Sequence, residues 1–108
     1  VGLGYSMIAY ASLTKGMSKL QLNEAKLAAD LDNSWEVLAE PIQTMMRRYG
    51  IEEPYEKLKA LTRGNVMDQA TIQTFIDTLD MPEEAKTALK AMTPASYIGN
   101  AADQAKNI

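Results

Sequence analysis

The sequence contains neither histidine nor cysteine. Without histidine there is no commonest general base, no commonest metal ligand and no Ser–His nucleophile pair. Without cysteine there is no disulfide framework and no thiolate chemistry, which fits a cytoplasmic protein. A positive excess is missing too. The net charge is −3, whereas a general nucleic-acid binder carries a basic stripe. No apolar run is long enough for a membrane span of about 20 residues, because the stretch from Val1 is interrupted by Ser6 and Ser12 and stops at Lys15. A basic leader and a small-residue cleavage site are also absent, so no signal peptide is expected. No glycine-rich loop is present to cradle a phosphate. These absences leave no general nucleic-acid partner, no membrane span and no P-loop or dinucleotide fingerprint among the expectations.

What is there reads almost entirely as helix, and the 108 residues suit one small domain. A chain of this size can bury roughly two-thirds of its unfolded surface, enough for one modest core. Val1–Leu20 places Leu3, Tyr5, Met7, Ile8, Tyr10, Leu13, Met17 and Leu20 on more than one face. A helix apolar all round is normally buried on all sides, so other chains or further segments are expected to cover it. The chain does not begin with Met and has no capping residue before its first apolar run. It is therefore expected to start inside a helix of a longer protein. Asn23 is a cap for a short helix ending near Leu31, with Leu22 and Leu27 placed as a hydrophobic staple.

The segment Ser34–Tyr49 is the most distinctive. Asn33 and Glu36 form a capping-box pattern, Gly50 suits a left-handed helix end, and Arg47 and Arg48 complement the negative end of the helix. Pro41 falls in the interior, where it is expected to kink the helix at about 3 kcal/mol if nothing compensates. Pro54 opens the next helix, with Tyr55, Leu58 and Leu61 as its core face and Gly64 at its end. Asp68 caps a helix bearing Ile72, Phe75, Ile76 and Leu79 at helical spacing. Pro82 opens another, with Ala85, Ala88, Leu89 and Met92 inward, and Thr93-Pro94 begins a last short turn through Ile98. The tail after Gly99 is expected to be a frayed helix.

Candidate chemistry is sparse. Ser6, Ser12, Ser18, Ser34 and Ser96 read as helix-interior or capping residues. Asp30, Asp32 and Ser34 begin a calcium-loop spacing, but Trp35 stands where glycine is needed and Pro41 where glutamate is needed. Glu52, Glu53 and Glu56 suit the positive end of the helix opened by Pro54 better than a metal. Arg47, Arg48, Lys57, Lys59 and Arg63 read as a solvated face paired locally with those glutamates, and a phosphate patch is the sharper alternative. Trp35 and Tyr49 read as core anchors, and the seven methionines as fillers of irregular core gaps. Asp68–Leu79 and Pro82–Met92 mimic a helix-turn-helix, but Glu83 and Glu84 at the head of the second would repel phosphate.

Trp35–Gly50 followed by Ile51–Gly64 closely resembles the C-terminal domain of the bacterial adenylosuccinate lyases, in the fumarase/aspartase superfamily. Leu22-Asn23, Leu31-Asp32, Met81-Pro82-Glu83-Glu84 and Lys90–Gly99 extend the resemblance over nearly the whole chain, with Asn65–Asp80 and the last few residues the least specific parts. The resemblance implies an all-α fold. Residues 1–20 would be the C-terminal end of a central-bundle helix, and residues 21–108 a small domain of about five to seven short helices. It implies an enzyme that eliminates fumarate from adenylosuccinate, giving AMP, and from the succinyl-carboxamide ribotide intermediate of purine synthesis. That enzyme is a homotetramer built on the helical bundle and uses no metal or organic cofactor. The family's catalytic serine loop, its catalytic histidine and its phosphate-gripping arginine strip have no counterpart in these residues. No catalytic, substrate-binding or metal-binding residue is therefore carried over, and the piece is expected to be an inactive support. The alternatives are a stand-alone helical interaction module, with Val1–Leu20 docking in a partner's groove, or the same domain of another lyase of the superfamily.

Overall fold

The computed structural model describes residues 1–108 and is entirely helical. Its elements are α1 (Gly2–Met17), α2 (Glu24–Asp32), a 3₁₀ turn (Trp35–Leu38), α3 (Ala39–Arg48), α4 (Pro54–Thr62), α5 (Gln69–Thr78), α6 (Glu83–Ala91) and α7 (Ala101–Lys106). The molecule measures 64 × 28 × 27 Å. The 16 residues of α1 extend about 24 Å.

The core is built on one stripe. Leu38, Ile42 and Met46 are spaced at i, i+4, i+8 and are the most deeply buried residues of their segment. They meet Leu58 of α4, Ile72, Ile76 and Leu79 on and after α5, and Met81, Ala85 and Leu89 on and before α6. α3 packs on α4 and on α6, and α6 packs on α5, so α3 lies between its neighbours. Each buried Leu, Ile or Met stabilises the fold by about 1.5–3 kcal/mol. Trp35, Met45, Ile51, Leu61, Met67, Phe75 and Met92 pack around this cluster. Five of the seven methionines thus serve the core or its margin, while Met7 and Met17 on α1 are exposed.

Several local signals act as expected. The Asn23 side chain accepts from the Lys26 N–H at 3.0 Å, and that of Asp68 from the Thr71 N–H at 2.8 Å. After α3, Gly50 adopts φ +70°. The Ile51 N–H reaches back to the Met46 carbonyl at 3.0 Å and the Gly50 N–H to that of Arg47 at 3.1 Å. This double closure satisfies two carbonyls at the helix end and folds Ile51 onto the core.

Other expectations are corrected. The Asn33–Glu36 capping box does not form. Asn33 instead donates from its side chain to the Ala29 carbonyl at 2.8 Å, closing α2, and Ser34 precedes the 3₁₀ turn without a side-chain cap bond. Pro41 is not interior to an α-helix. It is the third residue of α3, where a backbone N–H has no carbonyl of the same helix to meet. The preceding turn is wound as 3₁₀, a common way to begin an α-helix, and Pro41 is buried. Tyr55 and Ala88 point outward instead of into the core, because Leu58 and Leu61, and Ala85 and Leu89, already fill the facing space. Leu22 and Leu27 are both exposed, so no staple covers them. α1 and α2 bury no residue at all.

Replacing Ile76, which is 0% exposed, by alanine should cost about 2–5 kcal/mol through lost contact and a residual cavity. Tyr55→Ala should stay within about 0.5 kcal/mol. Urea unfolding followed by fluorescence of Trp35, the sole tryptophan, reads both. Pro41→Ala should be destabilising by about 1 kcal/mol, since the buried ring is lost and the unfolded chain gains freedom. A proline that strained a helix interior would give the opposite sign on replacement, by roughly 3 kcal/mol.

Candidate functional site

The largest concavity, about 650 Å³, lies between the Tyr49–Glu52 turn, α4 and the end of α5. Lys57 and Ala60 form one wall, and Phe75, Thr78 and Asp80 the other. Glu53, just beyond the turn, sits in the left-handed region at φ 51°, immediately before Pro54. This lets the chain reverse after Gly50 and still begin α4 with proline at its first turn. A second groove, about 280 Å³, lies between α3 and α6 and is lined by Pro41, Met45, Leu89, Met92 and Tyr97.

The serines are occupied by the backbone. Ser6 donates to the Gly2 carbonyl at 3.1 Å, Ser18 to that of Lys15 at 2.8 Å, Ser34 to that of Asp30 at 2.9 Å and Ser96 to that of Thr93 at 3.0 Å. Ser12 is exposed on α1. A nucleophilic or proton-abstracting serine needs an adjacent base, and none of these bonds supplies one.

The charged candidates disperse as well. Asp30 pairs with Lys26 at 2.6 Å across one helical turn, and no set of three acidic side chains gathers as a metal site. The expected pairs from Arg47, Arg48, Lys57, Lys59 and Arg63 to Glu52, Glu53 and Glu56 do not form; the ion pairs are Lys26–Asp30, Lys86–Glu83 and Lys90–Asp77. Arg48 lies over the Tyr49 ring at 5.9 Å and Lys59 over the Tyr55 ring at 5.6 Å, so two of the cations rest on their neighbours' aromatic faces. Tyr49 is exposed beneath its arginine and does not anchor the core. Trp35 does pack against it.

One long-range polar tie was not legible in the sequence. The Tyr97 phenol donates to Oε2 of Glu40, 57 positions away, while the Thr44 hydroxyl donates to Oε1 at 3.1 Å. Hydrogen bonding to this carboxylate, then burial and the negative charge, hold the Tyr97 phenol above the usual tyrosine range. At the other extreme, the Thr71 backbone N–H bonded to Asp68 holds that carboxyl below its ordinary value of 3.8.

The first groove carries Glu52, Lys57 and Asp80, and the second the Tyr97–Glu40 tie. Residues 1–98 match a family model described as "Adenylosuccinate lyase C-terminal". The chain belongs to that family. It is 65% identical over 101 residues, 94% of its own length, to an adenylosuccinate lyase of Vibrio cholerae. It is 63% identical over the same share to one of Escherichia coli strain K12. It is 51% identical over 98% of its length to one of Legionella pneumophila. In each case it spans about a fifth of the relative's length, 22% to 23%. No helix is long and apolar enough to cross a membrane.

The lowered Asp68 carboxyl has a defined sign. Its contribution is present above the ordinary value of 3.8 and is lost as pH falls through the lowered native one. Asp68→Asn keeps a side-chain acceptor for the helix start and removes the titration. Its thermal midpoint should therefore fall less than the parent's as pH drops below 3.8, with Asp68→Ala lower than both at neutral pH.

Proposed function

We propose that this chain is the C-terminal part of an adenylosuccinate lyase and acts within it as scaffold. The whole enzyme would eliminate fumarate from adenylosuccinate, giving AMP, and from the succinyl-carboxamide ribotide intermediate. In such an elimination a base removes the proton beside a carboxylate, the C–N bond breaks as the double bond forms, and an acid protonates the departing nitrogen. Residues beyond these 108 would supply both groups and the grip on the nucleotide. Residues 1–20 would end a bundle helix, and residues 21–108 would form the helical domain that caps the bundle and borders the active-site cleft. The assembly would be a cytoplasmic homotetramer working without a metal or organic cofactor.

The single observation that carries this is the family match over residues 1–98. Two features of the chain agree with the division of labour. Histidine is absent, and every serine that makes a side-chain hydrogen bond donates to a carbonyl. The apolar side chains of α1, with Leu3 86% exposed and Met7 73%, also agree with a helix completed by neighbours.

The test is direct. The natural full-length polypeptide should release fumarate and AMP from adenylosuccinate, and the purified 1–108 chain should release neither under the same conditions. Fumarate from argininosuccinate alone would move the protein to another lyase of the superfamily. Turnover by the 1–108 chain would overturn the scaffold role. A full-length protein inert toward every such substrate would favour the interaction module, with α1 as its docking helix.

A further inference from the structure

The chain beyond Met92 is attached to the rest of the molecule at few points. From Thr93 onward, Pro94 is the one buried residue, and α7 buries none. The Thr93–Gly99 strap nevertheless has a defined shape. The Thr93 N–H bonds the Ser96 hydroxyl at 2.9 Å and the Ser96 N–H bonds the Thr93 hydroxyl at 3.2 Å, a reciprocal closure that satisfies both donors. Gly99 then turns the chain at φ +54°. This turn carries the Tyr97 ring to the groove of Pro41, Met45, Leu89 and Met92, and its phenol to Glu40; without that docking its own short-range bonds are left exposed. Glu40 is itself steadied by Thr44 of the next turn. A bond to an ionised acceptor is roughly twice as strong as a neutral one, and apart from Pro94 no residue of the strap is fully covered.

We propose that Tyr97 and Glu40 form a latch that holds the Thr93–Gly99 strap across the groove between α3 and α6, so that releasing it opens this apolar groove and frees α7. The latch is a conformational device within the fold and does not depend on the lyase activity proposed above. Because the ring of Tyr97 is part of the groove lining, opening removes both a polar tie and an apolar wall. Met45 and Met92 would gain solvent, whereas Met46, 0% exposed, would not.

The experiment is hydrogen exchange by mass spectrometry on the natural full-length polypeptide, as a double-mutant cycle of Tyr97→Phe, Glu40→Ala and both. Each single change should speed exchange of the Ser96, Tyr97 and Ala101 amides about tenfold, with the Ile72–Leu79 amides unchanged. The double variant should be no faster than either single, because both remove the same bond. Dilute peroxide should oxidise Met45 and Met92 several-fold faster in Tyr97→Phe, a variant that keeps the ring, and leave Met46 at the parent rate. Parent-like exchange in Tyr97→Phe would overturn the latch. So would roughly hundredfold exchange in the double variant, the mark of two independent effects, or unaltered oxidation at Met45 and Met92.

Discussion

The structure depends on the contact between the Leu38–Ile42–Met46 stripe and the helices on either side of it. α3 meets both α4 and α6, and α5 joins the body through α6. Remove that stripe and the remaining helices have no common partner. Each is nine or ten residues long, and isolated helices below about 12–15 residues are marginal in water. Their persistence is therefore a tertiary effect. The caps at Asn23 and Asp68 and the closure at Gly50 decide where helices start and stop; the buried stripe decides that they exist together.

This explains an asymmetry within the chain. α1 has stronger apolar content than any other helix, yet none of it is buried, while α6 buries little more than Ala85 and Leu89 and is secured. What matters is whether apolar groups share a face that a neighbour can cover. In α1 they are spread around the axis, so no single contact surface could take them up. An arrangement that covers α1 must approach it from several sides, which is the geometry of a helix within a bundle.

Most of the fold was legible because its signals are local. Asn23, Asp68, Gly50 and Pro54 each act through bonds to residues within a few positions, and the stripe on α5 follows helical spacing. The misread places share a different cause. Asn33 had two helix ends within reach, and its sequence pattern could not decide between capping the next helix and closing the previous one. Pro41 was read as interior because the sequence does not mark where 3₁₀ winding becomes α. The pairing of Arg48 and Lys59 with adjacent rings, instead of with Glu52, Glu53 and Glu56, is a choice among exposed partners of similar small energy. The Tyr97–Glu40 tie joins residues that no periodicity relates. The grooves were not legible because their walls join residues far apart in sequence, such as Lys57 with Asp80 and Pro41 with Tyr97.

A rigid body can fix geometry at a distance from its own side chains. A displacement of about 1 Å at a reacting centre can cost on the order of a hundredfold in rate, and a body packed around one fully buried stripe resists such displacement because close-packed interiors deform little. The stiffness is uneven, however. Leu38 through Met46 are locked, whereas α1, α2 and the segment after Met92 are held by few or no buried contacts of their own. Surfaces left unfinished on a rigid body adopt whatever order their surroundings impose, while the body keeps its shape. The buried contacts thus lie in the α3–α6 body, and α1, α2 and α7 bury no residue of their own.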